Sequence, residues 1–128
     1  MRLTIPLLAV SLGLCAAPAF AAPDGKQLFA DNCSACHQLT GKGIPGAFPA
    51  LAGSKVAQGD PKDLITRVLK GRGGMPAFGA ELNDLEIAKV LTYVRSSWGN
   101  KGKPVQPAQV TALRVVKVTG PKSSVLAH

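Results

Sequence analysis

Five consecutive residues, Cys33-Ser34-Ala35-Cys36-His37, bring together side chains suited to metal and sulfur chemistry. Two thiols three positions apart, at a helix end, can each add across one vinyl group on the same edge of a porphyrin. The imidazole that follows then points at the iron, for which its nitrogen is a good ligand. Cys-x-x-Cys-His is the attachment signature of c-type haem. A structural zinc site is a rival for the bare cysteine pair, but it takes four ligands. Only Cys33, Cys36, His37 and His128 are on offer once the first residues are set aside. A thioredoxin-like redox pair expects a βαβ pattern, which the sequence lacks. A plain disulfide across two residues would be strained and a poor staple.

An iron held by His37 needs a sixth ligand or an open site. Met75 lies in Arg72-Gly73-Gly74-Met75-Pro76-Ala77-Phe78, where glycine and proline enforce a loop and place the side chain. A methionine most often fills core space, but a Gly-Gly-Met-Pro loop is an odd place for packing alone. His128 ends the chain and is a poor competitor. His37 with Met75 would leave no open position, raise the potential and favour electron transfer over oxygen chemistry.

The elements that must position these residues read as helices. A first helix is expected from near Asp24 to Cys36, with Leu28 and Phe29 as apolar anchors and Gly25 allowing close approach. A Gly/Pro-rich stretch from Gly41 to Gly53 cannot be a long regular element. Asp60 as N-cap and Pro61 at the first helical position open a second helix, with Leu64, Ile65, Val68 and Leu69 at helical spacing and Gly71 ending it. Asn83 with Glu86 forms a capping-box start to a third. Its buried face is expected to hold Leu85, Ile87, Ala88, Val90, Leu91, Val94 and Trp98, and Gly99-Asn100 stops it. Beyond it, Pro107 to Arg114 can make one short helix, and Val115 to Val118 can be extended.

The 128 residues allow one domain. At 46% hydrophobic and 17% charged the chain is not disordered, and three cysteines are too few for a disulfide scaffold. Met1-Arg2, the apolar run Leu3–Ala16 and the small-residue exit Ala19-Phe20-Ala21 read as a secretory signal, cleaved after Ala21. An uncleaved anchor, or a lipoprotein at Cys15, fits less well. Residues 22–100 carry nine basic and seven acidic residues, whereas residues 101–128 carry five basic residues and no acid. The formal charge of +8 is thus mainly a property of the tail. That tail reads either as a docking arm for an acidic partner or as a solvated segment. Under either reading its removal is expected to leave the haem spectrum unchanged. Nucleic-acid binding is not expected, because no aromatic-basic interleaving occurs. The domain of residues 22–100 holds only five aromatics, so a cofactor is expected to complete its core.

Taken together, Gly25 and Phe29, the Cys33–His37 motif, Pro49-Ala-Leu51, Gly71-Arg-Gly-Gly-Met75-Pro76 and the ending Tyr93-Val-Arg-Ser-Ser-Trp98-Gly-Asn100 resemble bacterial class I cytochromes c. The resemblance spans about Asp24 to Asn100. It implies a small all-α fold of three to four main helices around one covalent haem c. It implies that Gly25 and Phe29 meet Val90, Tyr93 and Val94, and that the Pro49 carbonyl accepts a hydrogen bond from the His37 ring, with Pro45 a second candidate. It also implies that Leu51 and Phe78 line the haem pocket. The chain is similar to cytochrome c subunits of periplasmic dehydrogenases and to electron donors of terminal oxidases. The function so implied is a periplasmic carrier passing one electron at a time between a dehydrogenase, or another respiratory donor, and a terminal oxidase or reductase. Alternatives are a subunit permanently bound in a dehydrogenase complex, or a haem sensor or enzyme with displaceable Met75. Redox proteins are the expected partners, and association with a membrane surface stays open.

Overall fold

The computed structural model describes residues 22–115. Residues 1–21, read above as a signal segment, and residues 116–128, with them His128, lie outside the described residues. Six helices follow in order: α1 Gly25–Asn32, α2 Ser34–His37, α3 Lys55–Gln58, α4 Pro61–Lys70, α5 Asp84–Ser96 and α6 Pro107–Val115. Four of them span eight residues or more, and α2 and α3 are single turns. Among the described residues there is no strand, only isolated bridges such as that between Arg72 and Met75. The fold is the small all-α type expected.

The first helix is not continuous to Cys36. Cys33 leaves helical geometry, with φ −122° and ψ −29°. Side-chain bonds to the preceding turn, from Asn32 to the Leu28 carbonyl and from Ser34 to the Ala30 carbonyl, accompany the break. The chain then restarts as one turn, with the Cys36 and His37 amides donating to the Cys33 carbonyl. The caps of the longer helices follow the sequence signals. Asp24 accepts from the Gln27 amide, Asp60 from the Lys62 amide, and Asn83 and Glu86 close a reciprocal capping box. The turn α3 was not legible as a helix; Ser54 caps it by accepting from the Ala57 amide.

The core gathers one face from each element: Leu28 and Phe29 of α1, Leu64, Ile65, Val68 and Leu69 of α4, and Ile87, Ala88, Val90, Leu91 and Val94 of α5. Gly25 lies where any Cβ would collide with the Lys89 carbonyl, so glycine sets how closely α1 meets α5. Phe29 packs on Tyr93 (ring centroids 5.5 Å) and on Trp98 (5.1 Å). Two expectations for α5 need correction. Leu85 is 50% exposed and faces outward rather than into the core. Trp98 lies beyond the end of α5, with φ +53°, and does not belong to its helical stripe.

The chain does not leave the folded unit at Asn100. Val105 and Val110 are buried in the same core, and α6 packs on α4 and α5. Arg95, only 3% exposed, ties this return together. Its guanidinium donates to the Ala57 and Gly59 carbonyls (2.9 and 3.0 Å) and to the Lys103 carbonyl (2.6 Å). Carbonyl acceptors satisfy the buried cation without a carboxylate. Val115, expected to open an extended stretch, is the last residue of α6. No helix among the described residues is long and apolar enough to cross a membrane.

Candidate functional site

His37 ends the single turn α2 and is 9% exposed. Its Nδ1 lies 2.9 Å from the Pro49 carbonyl. A carbonyl can only accept, so Nδ1 donates, and in the neutral ring this leaves Nε2 as the lone-pair nitrogen. Among the described residues Nε2 has no hydrogen-bond partner, yet no buried side-chain nitrogen or oxygen lacks one. Nε2 therefore opens onto accessible space. A ring so hidden, clamped at one nitrogen and open at the other, is prepared to bind a metal. Of the two candidates for the clamp, the structure selects Pro49; Pro45 is exposed and does not supply it.

The loop between His37 and α3 is held on both sides. Gln38 and Gly41 adopt φ of +66° and +67°, and the Gly43 amide returns to the His37 carbonyl at 2.9 Å. The Leu51 and Ala52 amides both donate to the Gly41 carbonyl. Two residues just beyond α5 then pin this knot. Trp98 lays its ring against Gly41 and donates from Nε1 to the Leu39 carbonyl at 3.0 Å. Asn100 donates to the Leu51 and Val94 carbonyls and accepts from the Gly53 amide. Neither was legible in this role. The available signal was an aromatic and an asparagine placed after a helix had ended, at Ser97-Trp98-Gly99-Asn100.

Cys33 and Cys36 are free thiols, both half-buried. Burial first, and the neighbouring Cys36 second, push the Cys33 thiol up to about 11. At that value the Cys33 thiol is neutral near pH 7. Among the described residues no three His, Cys, Asp or Glu side chains group to hold a metal ion. The zinc reading finds no support in this geometry.

Met75 is half-buried, in a tight turn where Arg72 and Met75 exchange backbone hydrogen bonds of 3.1 and 3.0 Å. Gly71, at φ +70°, faces the Met75 carbonyl so closely that a Cβ would clash. The Phe78 amide donates to the Val68 carbonyl at 2.8 Å, which fastens the downstream side to α4. Cys33, Leu51, Met75 and Phe78 all rest on the one hydrophobic core, each only partly covered by protein. A thiol, apolar side chains and a thioether packed on one core, together with an imidazole open at Nε2, fit a covalently held haem.

Fold and site together define a c-type cytochrome. The chain belongs to the family described as cytochrome c oxidase, cbb3-type, subunit III, which matches residues 20–94. It is 38% identical over 122 residues to a cytochrome c-552 of Thermus thermophilus, covering 79% of this chain and 81% of that one. It is 36% identical over 104 residues to a gluconate 2-dehydrogenase cytochrome c subunit of Pantoea cypripedii, covering 70% of this chain but only 24% of that one. A solved c-type cytochrome, 24% identical, shares the fold with a TM-score of 0.50 over 57% of this chain and 95% of that one. The chain is an electron carrier rather than an enzyme, and it carries a single covalent haem c.

Proposed function

We propose that this chain is exported and carries single electrons in the periplasm, between a dehydrogenase or other respiratory donor and a terminal oxidase or reductase. Bound at this site, haem c supplies a one-electron iron(III)/iron(II) couple. Cys33 and Cys36 would hold the haem covalently, each thiol adding S–H across one vinyl group so that nothing is released. His37 would hold the iron through Nε2, and Met75 would hold it through its sulfur. Pro49 fixes the His37 ring and raises its basicity through the Nδ1 hydrogen bond. Leu51 and Phe78 shield the site from water. With both ligands supplied by the protein, the ligand set would not need to change between oxidation states, which favours rapid electron exchange.

The observation that carries this reading is the His37 ring, clamped at Nδ1 by Pro49 and open at Nε2. Mass and redox titration of the exported protein test it. One haem on a chain beginning at Ala22, titrating as one reversible electron, is expected. A chain retaining residues 1–21, or an iron that binds oxygen when reduced, would overturn it. The likeness to a gluconate dehydrogenase cytochrome subunit supports a second reading, permanent residence in a dehydrogenase complex. Co-purification with a dehydrogenase through high salt distinguishes that reading from a free carrier.

A further inference from the structure

Residues 71–82 join α4 to α5 and carry Met75. The segment is fastened to α4 through the Phe78 amide, and its other amides turn back mainly on the segment itself, as from Glu81 and Leu82 to the Phe78 carbonyl. Among the described residues, the only side-chain hydrogen bonds it receives come from Arg114 on α6. Arg114 donates from Nη1 to the Gly79 carbonyl, from Nη2 to the Leu82 carbonyl (2.9 Å) and from Nε to Asp84 Oδ1 (2.6 Å). Thr111, one turn earlier, donates to the other Asp84 oxygen. Gly79 is wedged as well, since a Cβ there would lie 2.7 Å from the Leu69 carbonyl.

A salt bridge that merely fastened α6 would need Asp84 alone, and exposed pairs of that kind contribute little. This guanidinium instead directs two of its arms at carbonyls of the segment. One of them, Gly79, lies four residues after Met75. Met75 can leave an iron by rotating its side chain or by movement of the segment, and the segment moves only if one of its two ends gives way. The upstream end is fixed by Gly71 against the Met75 carbonyl and by the Arg72–Met75 turn. The downstream end is fixed by Val68 and by Arg114.

We propose that Arg114 is a positioning residue for the sixth iron ligand: by holding the Gly79 and Leu82 carbonyls it opposes displacement of Met75. This rests on Met75 being that ligand. On this reading, removal of residues 101–128 alters the haem spectrum, contrary to the expectation drawn from the sequence.

The test uses the exported, haem-loaded full chain in its oxidised state, with imidazole as a competing ligand. Arg114→Ala is expected to raise the affinity for imidazole about tenfold, the scale of one net hydrogen bond. It is also expected to speed hydrogen exchange at the Phe78 and Leu82 amides. Val110→Ala, on the same helix but with no hydrogen bond from its side chain to the segment, loosens packing generally and is expected to leave imidazole affinity unchanged. An Arg114→Ala protein with wild-type affinity, or an equal rise in Val110→Ala, would overturn the proposal. Met75→Ala separates the two layers: if it keeps the long-wavelength sulfur–iron band of the parent, the ligand assignment fails. If the band depends on Met75 but imidazole affinity ignores Arg114, only the positioning role fails.

Discussion

Asn100→Ala removes a side chain whose contribution can be weighed directly. Asn100 is 5% exposed and makes three hydrogen bonds, at 3.0 Å to the Leu51 carbonyl, 2.9 Å to the Val94 carbonyl and 2.9 Å from the Gly53 amide. Truncation leaves two carbonyls and one amide without this partner. At about 1 kcal/mol for each bond, the loss is about 3 kcal/mol. Denaturant unfolding of the haem-loaded, oxidised protein measures it, as a lower midpoint at constant m-value. A second readout distinguishes loop anchoring from general loss of stability. Asn100 holds residues 51–53, two positions from the Pro49 carbonyl that clamps His37. Loosening that clamp makes the imidazole a weaker donor, so the reduction potential is expected to rise. A stability loss under about 0.5 kcal/mol, the range of an indifferent surface change, with an unmoved potential would refute this reasoning.

Four further outcomes are expected. Gly25→Ala drives a Cβ into the Lys89 carbonyl and is expected to cost about 1–3 kcal/mol of stability; thermal melts check it. Arg95→Met leaves three carbonyls without a donor and is expected to cost about 3 kcal/mol, measured by denaturant unfolding. The Thr111 hydroxyl first, and Arg114 second, hold the Asp84 carboxyl below its ordinary value of 3.8. Its stabilising contribution is therefore complete above the unfolded pKa and is lost as pH falls through the lower folded one. Acid unfolding of Asp84→Asn is expected to show a shallower dependence on pH below about 4. Replacing both Cys33 and Cys36 by alanine is expected to yield little folded, haem-bearing protein, scored by absorbance and circular dichroism of the exported fraction.

Features written into short stretches of sequence were legible. Asp60-Pro61 and the Asn83/Glu86 box act locally, and they start α4 and α5 where expected. The Cys33–His37 motif and the Gly-Gly-Met-Pro loop are likewise local patterns of chemistry. The partner of the His37 ring came from family resemblance, and the 2.9 Å distance to Pro49 agrees with it. Features that join distant segments were not legible. Arg95 meets Ala57 and Gly59, Trp98 meets Leu39 and Gly41, and Arg114 meets Gly79 and Leu82. No periodicity connects such pairs. The five basic residues after Asn100 suggested a charged tail, yet Val105 and Val110 carry residues 101–115 back into the core. Leu85 was misplaced because the apolar stripe of α5 is broad: Ile87 and Ala88 face the core, and Leu85 lies on the outer side of the same turn.

The central claim is that His37 and Met75 hold one covalent haem between them. The oxidised spectrum and reduction potential of Met75→Ala, set beside those of the parent, test it most directly. The parent is expected to show the long-wavelength sulfur–iron band, and the variant to lose it together with a marked fall in potential. A variant that kept both the band and the potential, or a parent without the band, would contradict the claim.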